Sequence, residues 1–125
     1  AITPSGVHEL VQHGHDVYVE TDAGVGSSIA NEDYVAAGAT ILDSADEGVE
    51  KPDPRFFEIA LARSSATRET TIHVGDLYYV DVIGARNAGL RGVLLDEADL
   101  RPDADCPRVR TLHELVNRVA CKEFD

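Results

Sequence analysis

Three side chains in this sequence have the types and spacing for binding a phosphate group with a divalent cation. Lys51 opens a Lys-Pro-Asp-Pro run, Asp76 closes the run Thr-Ile-His-Val-Gly-Asp, and Asp81 follows five residues later. Lysine carries a compact point charge, and magnesium favours carboxylate oxygens while keeping several of its waters. A lysine and two carboxylates at the ends of parallel strands are what a phosphate–magnesium site needs. Read without such a site, the same residues are a solvated loop before a capped helix and a strand-to-helix turn. Chemistry at phosphorus would also require an attacking group placed against it.

The elements that must position these residues alternate. Thr3-Pro4 starts a helix in which Val7, Leu10 and Val11 form an apolar stripe, ended by Gly14. Residues 16–21 read as a strand, Asn31 as the cap of a helix ended by Gly38, and residues 39–42 as a second strand. Asp53-Pro54 starts a helix carrying Phe56, Phe57, Ala60 and Leu61. A third strand is expected at 71–76, a helix at 79–88 ended by Gly89, and a fourth strand at 92–96. After an acidic loop, Thr111 and Glu114 form a capping-box pattern for a last helix burying Leu112, Leu115, Val116 and Val119. Short apolar strands alternating with helices indicate a single α/β domain over residues 1–125, a three-layer doubly wound fold with a mostly parallel sheet of four strands and roughly five helices. Such a domain ordinarily opens with a buried central strand, where ligands bind. This chain opens on a helix, so the central first strand is missing from the pattern.

Composition narrows the function classes. The formal charge of −12 argues against nucleic acid, whose phosphates require clustered cations, and disfavours an anionic membrane surface. No apolar run is long enough to span a bilayer, and no signal-peptide pattern opens the chain. Cys106 and Cys121 fit a reducing, cytoplasmic setting, with one disulfide between them as the alternative. The absence of methionine implies a start after processing or a cut from something longer. The five histidines form no metal-like cluster.

Residues 48–119 resemble the haloacid-dehalogenase-like (HAD) hydrolase superfamily, through "GVEKPDPRFF", "HVGDLYYVDVIGARNAGLRGVLL" and "TLHELVNRV". The resemblance implies a HAD-like doubly wound fold of the Rossmann and flavodoxin type. It implies that Lys51 would neutralise a phosphoryl group and that Asp76 and Asp81 would hold Mg2+, directly or through water. In that superfamily the nucleophile is an aspartate in an Asp-x-Asp-x-Thr/Ser motif at the end of the first and central strand, and no such motif occurs here. "DADC" at 103–106 lies in a late loop, and Asp22 has no second aspartate two residues on.

Residues 2–42 look like a different family, the amino-terminal domain of alanine dehydrogenase and nicotinamide-nucleotide transhydrogenase. The Thr-Pro-x-Gly-Val helix start, "GHDVYVE", "AGVGS" and "EDYVAAGA" carry the likeness. None of that family's catalytic positions falls within the matching stretch. "AGVGSS" lacks the third glycine of a dinucleotide loop, since Ile29 stands there, and Asp43 is a weak acidic partner. In the resembled family this loop is structural. Thr21 falls where the hydrolase superfamily has a phosphate-binding Thr or Ser at the end of its second strand; the alternative is coincidence, since strand-end threonines are common.

The expectation is an engineered or recombined chimera, residues 1–47 alanine-dehydrogenase-like and 48–125 HAD-like. It would be a scaffold with no native catalytic function, no required cofactor and a vestigial site at Lys51, Thr21, Asp76 and Asp81 that admits Mg2+. The alternatives are a truncated HAD-like hydrolase lacking its nucleophile, and an alanine dehydrogenase fragment. Without a central strand, the strands at 17–21 and 71–75 must pair directly or accept a strand from elsewhere, which gives either a rearranged strand order or a homo-oligomer built by strand exchange.

Overall fold

The computed structural model of the chain describes residues 3–21, 23–42 and 48–124. The chain divides into two compact units, residues 1–43 and 44–125. All 11 lysines and arginines lie beyond residue 43, so the first unit carries carboxylates and histidines but no permanent cation.

In the first unit, α1 (Pro4–Gln12) starts where proline's fixed φ suits the first helical position. Thr3 Oγ1 accepts the Gly6 N–H at 3.2 Å. Val7 is fully buried, with Leu10 and Val11 partly covered on the same stripe. β1 (Tyr18–Glu20), a 3-10 turn (Val25–Ser27), α2 (Asn31–Ala36) and β2 (Thr40–Leu42) follow. The strands pair in parallel, Val19 opposite Ile41. Val7, Val19, Tyr34 and Ala39 form the unit's core. Asn31, expected as the cap of α2, is instead its first residue. Ala30 takes the cap position, and Asp33 reaches back to accept the Ala30 N–H at 3.0 Å. That reach satisfies the N–H of the cap residue itself, one half of a capping box.

In the second unit, α3 (Pro54–Ser64) is capped by Asp53, which accepts the Arg55 N–H at 2.9 Å. A 3-10 turn (Arg68–Thr70) leads into β3 (Ile72–Gly75). The helix expected at 79–88 begins as a six-residue π-helix, Tyr78–Ile83, and only α4 (Gly84–Asn87) has α geometry. Turns of this wider kind concentrate at functional sites. β4 (Arg91–Leu95), β5 (Arg108–Val109) and α5 (Leu112–Ala120) complete the unit. Thr111 Oγ1 accepts the Glu114 N–H at 3.0 Å, while the Glu114 carboxylate turns to the Arg110 N–H. α5 buries Leu112, Leu115 and Val116; Val119, expected with them, is only partly covered.

The strand order β3-β4-β5 is parallel throughout. Residues 92–95 of β4 are all buried, as a strand covered on both faces must be. Every residue of β3 is half-covered, which suits its place at the edge of this sheet. Val49, Phe56, Phe57, Leu61, Ala85, Ala88 and Leu90 form a core between α3 and α4.

The α/β class and the parallel pairing are as the sequence indicates. The described strands form a parallel pair in the first unit and a parallel three-stranded sheet in the second. β5 was not expected because two residues between Pro107 and the Thr111 cap carry no readable period. Among the described residues no helix is long and apolar enough to cross a membrane.

Candidate functional site

The loop before α3, strand β3 and the turn after it converge on one carboxylate. Asp81, on the π-helix, is 2% exposed. Its Oδ1 receives Lys51 Nζ at 2.6 Å and lies 2.9 Å from His73 Nε2. Its Oδ2 accepts the Leu77 N–H at 3.1 Å. Burial alone would push this carboxyl up, but the hydrogen bonds from His73 and Lys51, with the lysine's charge, outweigh it and hold the group well below the usual carboxylate range.

Gly75 makes this approach possible. A Cβ there would sit 2.1 Å from Asp81 Cγ and 2.3 Å from Oδ2. The carboxylate fills the space that any side chain at 75 would take. Gly84 serves the same packing, since a Cβ there would come within 3.2 Å of both Pro52 and Phe57. The Phe57 ring meets His73 edge to face, centroids 5.0 Å apart. The helix that carries Asp81 and the loop that carries Lys51 are therefore seated against each other through glycine.

The sequence-derived residues fall into three groups. Lys51 and Asp81 are in direct contact. Asp76 follows Gly75 at the end of β3 and is exposed. Thr21 belongs to the first unit, where its hydroxyl donates to the Leu42 carbonyl at 3.3 Å. His73 was missed as a member of the site, although a signal existed. Alternate residues of a strand share a face, so His73 stands on the face of Gly75, where Asp81 lies.

The loop residues set aside in the sequence have structural partners. Asp105 of "DADC" accepts from the Tyr78 hydroxyl and from Arg86, and Arg101 stacks over the Tyr78 and Tyr79 rings. Asp96, at the end of β4, accepts the Leu100 and Arg101 N–H groups at 2.9 and 2.8 Å, which hold its carboxyl below its ordinary range. In "AGVGSS", Gly24 is buried, and a Cβ there would meet Tyr34 Oη at 2.5 Å. The loop's glycine is thus required by packing. Asp22 and Asp43 lie outside the described residues. Cys106 and Cys121 are both free thiols.

As a magnesium site the donor set is sparse. Among the described residues no three His, Cys, Asp or Glu side chains group to hold a metal. Asp76 offers an open carboxylate, whereas Asp81 already serves three donors. Magnesium tolerates so few protein ligands only where it keeps most of its waters.

Comparison with known proteins separates the two halves. The HAD-hydrolase-like family matches residues 49–115, more than half of the chain, and this stretch contains Lys51, His73, Asp76 and Asp81. The chain belongs to the HAD-hydrolase-like family. The alanine dehydrogenase/PNT N-terminal domain matches residues 1–56. Its match runs past residue 42, where the likeness was expected to stop, and overlaps the HAD-hydrolase-like match in the loop before α3. An alanine dehydrogenase of Methanococcus maripaludis is 60% identical over 81 residues, covering 59% of this chain and 22% of its own length. A 2-haloacid dehalogenase from Pseudomonas syringae pv. tomato superposes with a TM-score of 0.72 at 27% identity, covering 93% of this chain and 51% of that one. A HAD phosphatase from Thermococcus onnurineus gives 0.76 at 20% identity over 92% and 55%, a likeness of fold alone. The chain thus spans about half of these HAD structures and about a fifth of that dehydrogenase. It joins a HAD-like part to an alanine-dehydrogenase-like part.

Proposed function

We propose that the chain is a recombined or engineered α/β scaffold with no catalytic turnover of its own, keeping a weak site for a phosphate group and Mg2+ around Lys51, Asp76 and Asp81. One contrast carries this reading. The Lys51–Asp81 pair is intact at 2.6 Å, yet none of the 125 residues forms an Asp-x-Asp-x-Thr/Ser motif. Lys51 would place positive charge against a phosphoryl oxygen, Asp81 would hold that ammonium in position, and Asp76 would take the hydrated cation. A bound Mg2+ would supply further neutralisation of phosphoryl charge. With no carboxylate to attack phosphorus, binding would not lead to turnover.

The test is hydrolysis of an aryl phosphate with and without Mg2+, against Asp76→Asn. No turnover above the variant is the expected result; magnesium-dependent turnover that the variant loses would refute the scaffold reading. A second reading, a HAD-like hydrolase completed by a strand from another chain or a second copy, is favoured by β3, an edge strand whose four residues are all half-covered. Activity restored by a peptide carrying Asp-x-Asp-x-Thr would establish it. The third reading, an alanine dehydrogenase fragment, draws on the identity of residues 1–56 to that family. It requires a thermal shift on adding a nicotinamide cofactor.

A further inference from the structure

His73 differs from the other four histidines, all exposed, in that its side chain is 19% exposed and touches the site. Its ring stands edge to face against Phe57, and Nε2 lies 2.9 Å from the same Asp81 oxygen that takes Lys51. Asp81 is ionised and can only accept, so Nε2 must carry the hydrogen.

From this geometry we infer that His73 is the positioning residue of the site, fixing the plane of the Asp81 carboxylate and through it the place of the Lys51 ammonium. The torsion that turns a carboxylate about its Cβ–Cγ bond is broad. The Leu77 N–H holds one oxygen. Lysine, at the end of a flexible four-carbon stem, cannot define where the other oxygen points. An imidazole on a strand, its ring braced by Phe57, can. Two rigid donors from separate segments set the carboxylate, and the Lys51 ammonium meets the oxygen they present. The inference rests on Lys51 being the site's cation and concerns how that cation is held.

The chain's two lysines make this directly observable. With lysine labelled in nitrogen-15, only Lys51 and exposed Lys122 contribute side-chain ammonium signals, and Lys122→Arg assigns them. Hydrogen exchange of the Lys51 ammonium should be slow in the wild type and in His73→Gln, which keeps a donor nitrogen. In His73→Phe, which keeps the ring against Phe57 but not the donor, exchange should accelerate by about tenfold or more, the factor that one lost hydrogen bond to a charged group implies. Exchange in a folded His73→Phe within about twofold of wild type, well short of that factor, would overturn the proposal. If the variant does not fold, the wild type decides. A cross-relaxation contact between the His73 Nε2 proton and the Lys51 ammonium is expected, and its absence would overturn the proposal. None of these measurements requires phosphate, magnesium or turnover, so failure of the functional reading leaves them readable.

Discussion

Gly75→Ala tests the central packing claim, because two physical effects predict opposite signs. Gly75 is not among the residues with positive φ, so alanine's backbone is permitted there. On backbone entropy alone the substitution would stabilise by about 0.4–1 kcal/mol. The new Cβ, however, would lie 2.1 Å from Asp81 Cγ, against the roughly 3.5 Å of an ordinary carbon contact. The carboxylate would have to retreat by more than an ångström, beyond the reach of hydrogen bonds now at 2.6 and 2.9 Å. Breaking a buried ion pair costs about 3–5 kcal/mol, several times the entropic gain. With a urea m-value of about 1.5 kcal/mol per molar, the midpoint of the second unit should fall by about 2 M. Urea titration followed by circular dichroism measures this, and amide exchange on β3 and β4 assigns the transition to the unit. Combining Gly75→Ala with Asp81→Ala should cost much less than the sum of the two, since each removes the same contacts. A variant as stable as the wild type, or strictly additive costs, would refute the reasoning.

Asp81→Asn should destabilise at neutral pH, and its disadvantage should shrink as pH falls. The wild-type carboxyl is held below its ordinary value in the folded state, so its contribution is complete above about pH 4 and is lost on further acidification. Urea midpoints of both proteins from pH 7 to pH 2 check this; a constant difference would contradict it. Phe57→Ala removes a ring that is 1% exposed and packs on both Phe56 and His73, and should cost about 3–5 kcal/mol in the same titration. Gly24→Ala should destabilise the first unit through the 2.5 Å approach to Tyr34, whereas Gly26→Ala, with nothing within 4 Å, should be nearly neutral in thermal melting. Equal effects of the two would contradict a packing role for that loop.

The sequence carried the elements well where punctuation was strong. Thr3-Pro4, Asp53-Pro54 and Thr111 each begin a helix, and Gly14, Gly38 and Gly89 all adopt positive φ at or just after a helix end. It carried less where geometry depends on neighbours. The π-helix at Tyr78–Ile83 has an ordinary apolar pattern, and β5 exists only through pairing with Leu94 and Leu95. At the site, residue types and family motifs singled out Lys51 and Asp81, but for phosphate and for metal; their contact with each other came from the structure. His73 was not singled out, because a search for metal clusters passes over a histidine that serves a carboxylate. The role of Gly75 is a close approach between atoms of residues six apart, visible only once the chain is folded.

The uneven placement of cations has a consequence for ionic strength. Within the first unit every permanent charge has the same sign, so added salt can only relieve repulsion there. The second unit contains ion pairs such as Arg108–Asp99 and Arg118–Glu123, whose attraction salt weakens. One solvent variable thus relieves repulsion in both parts but weakens attraction between permanent charges only in the second, so a salt series should affect the two unequally.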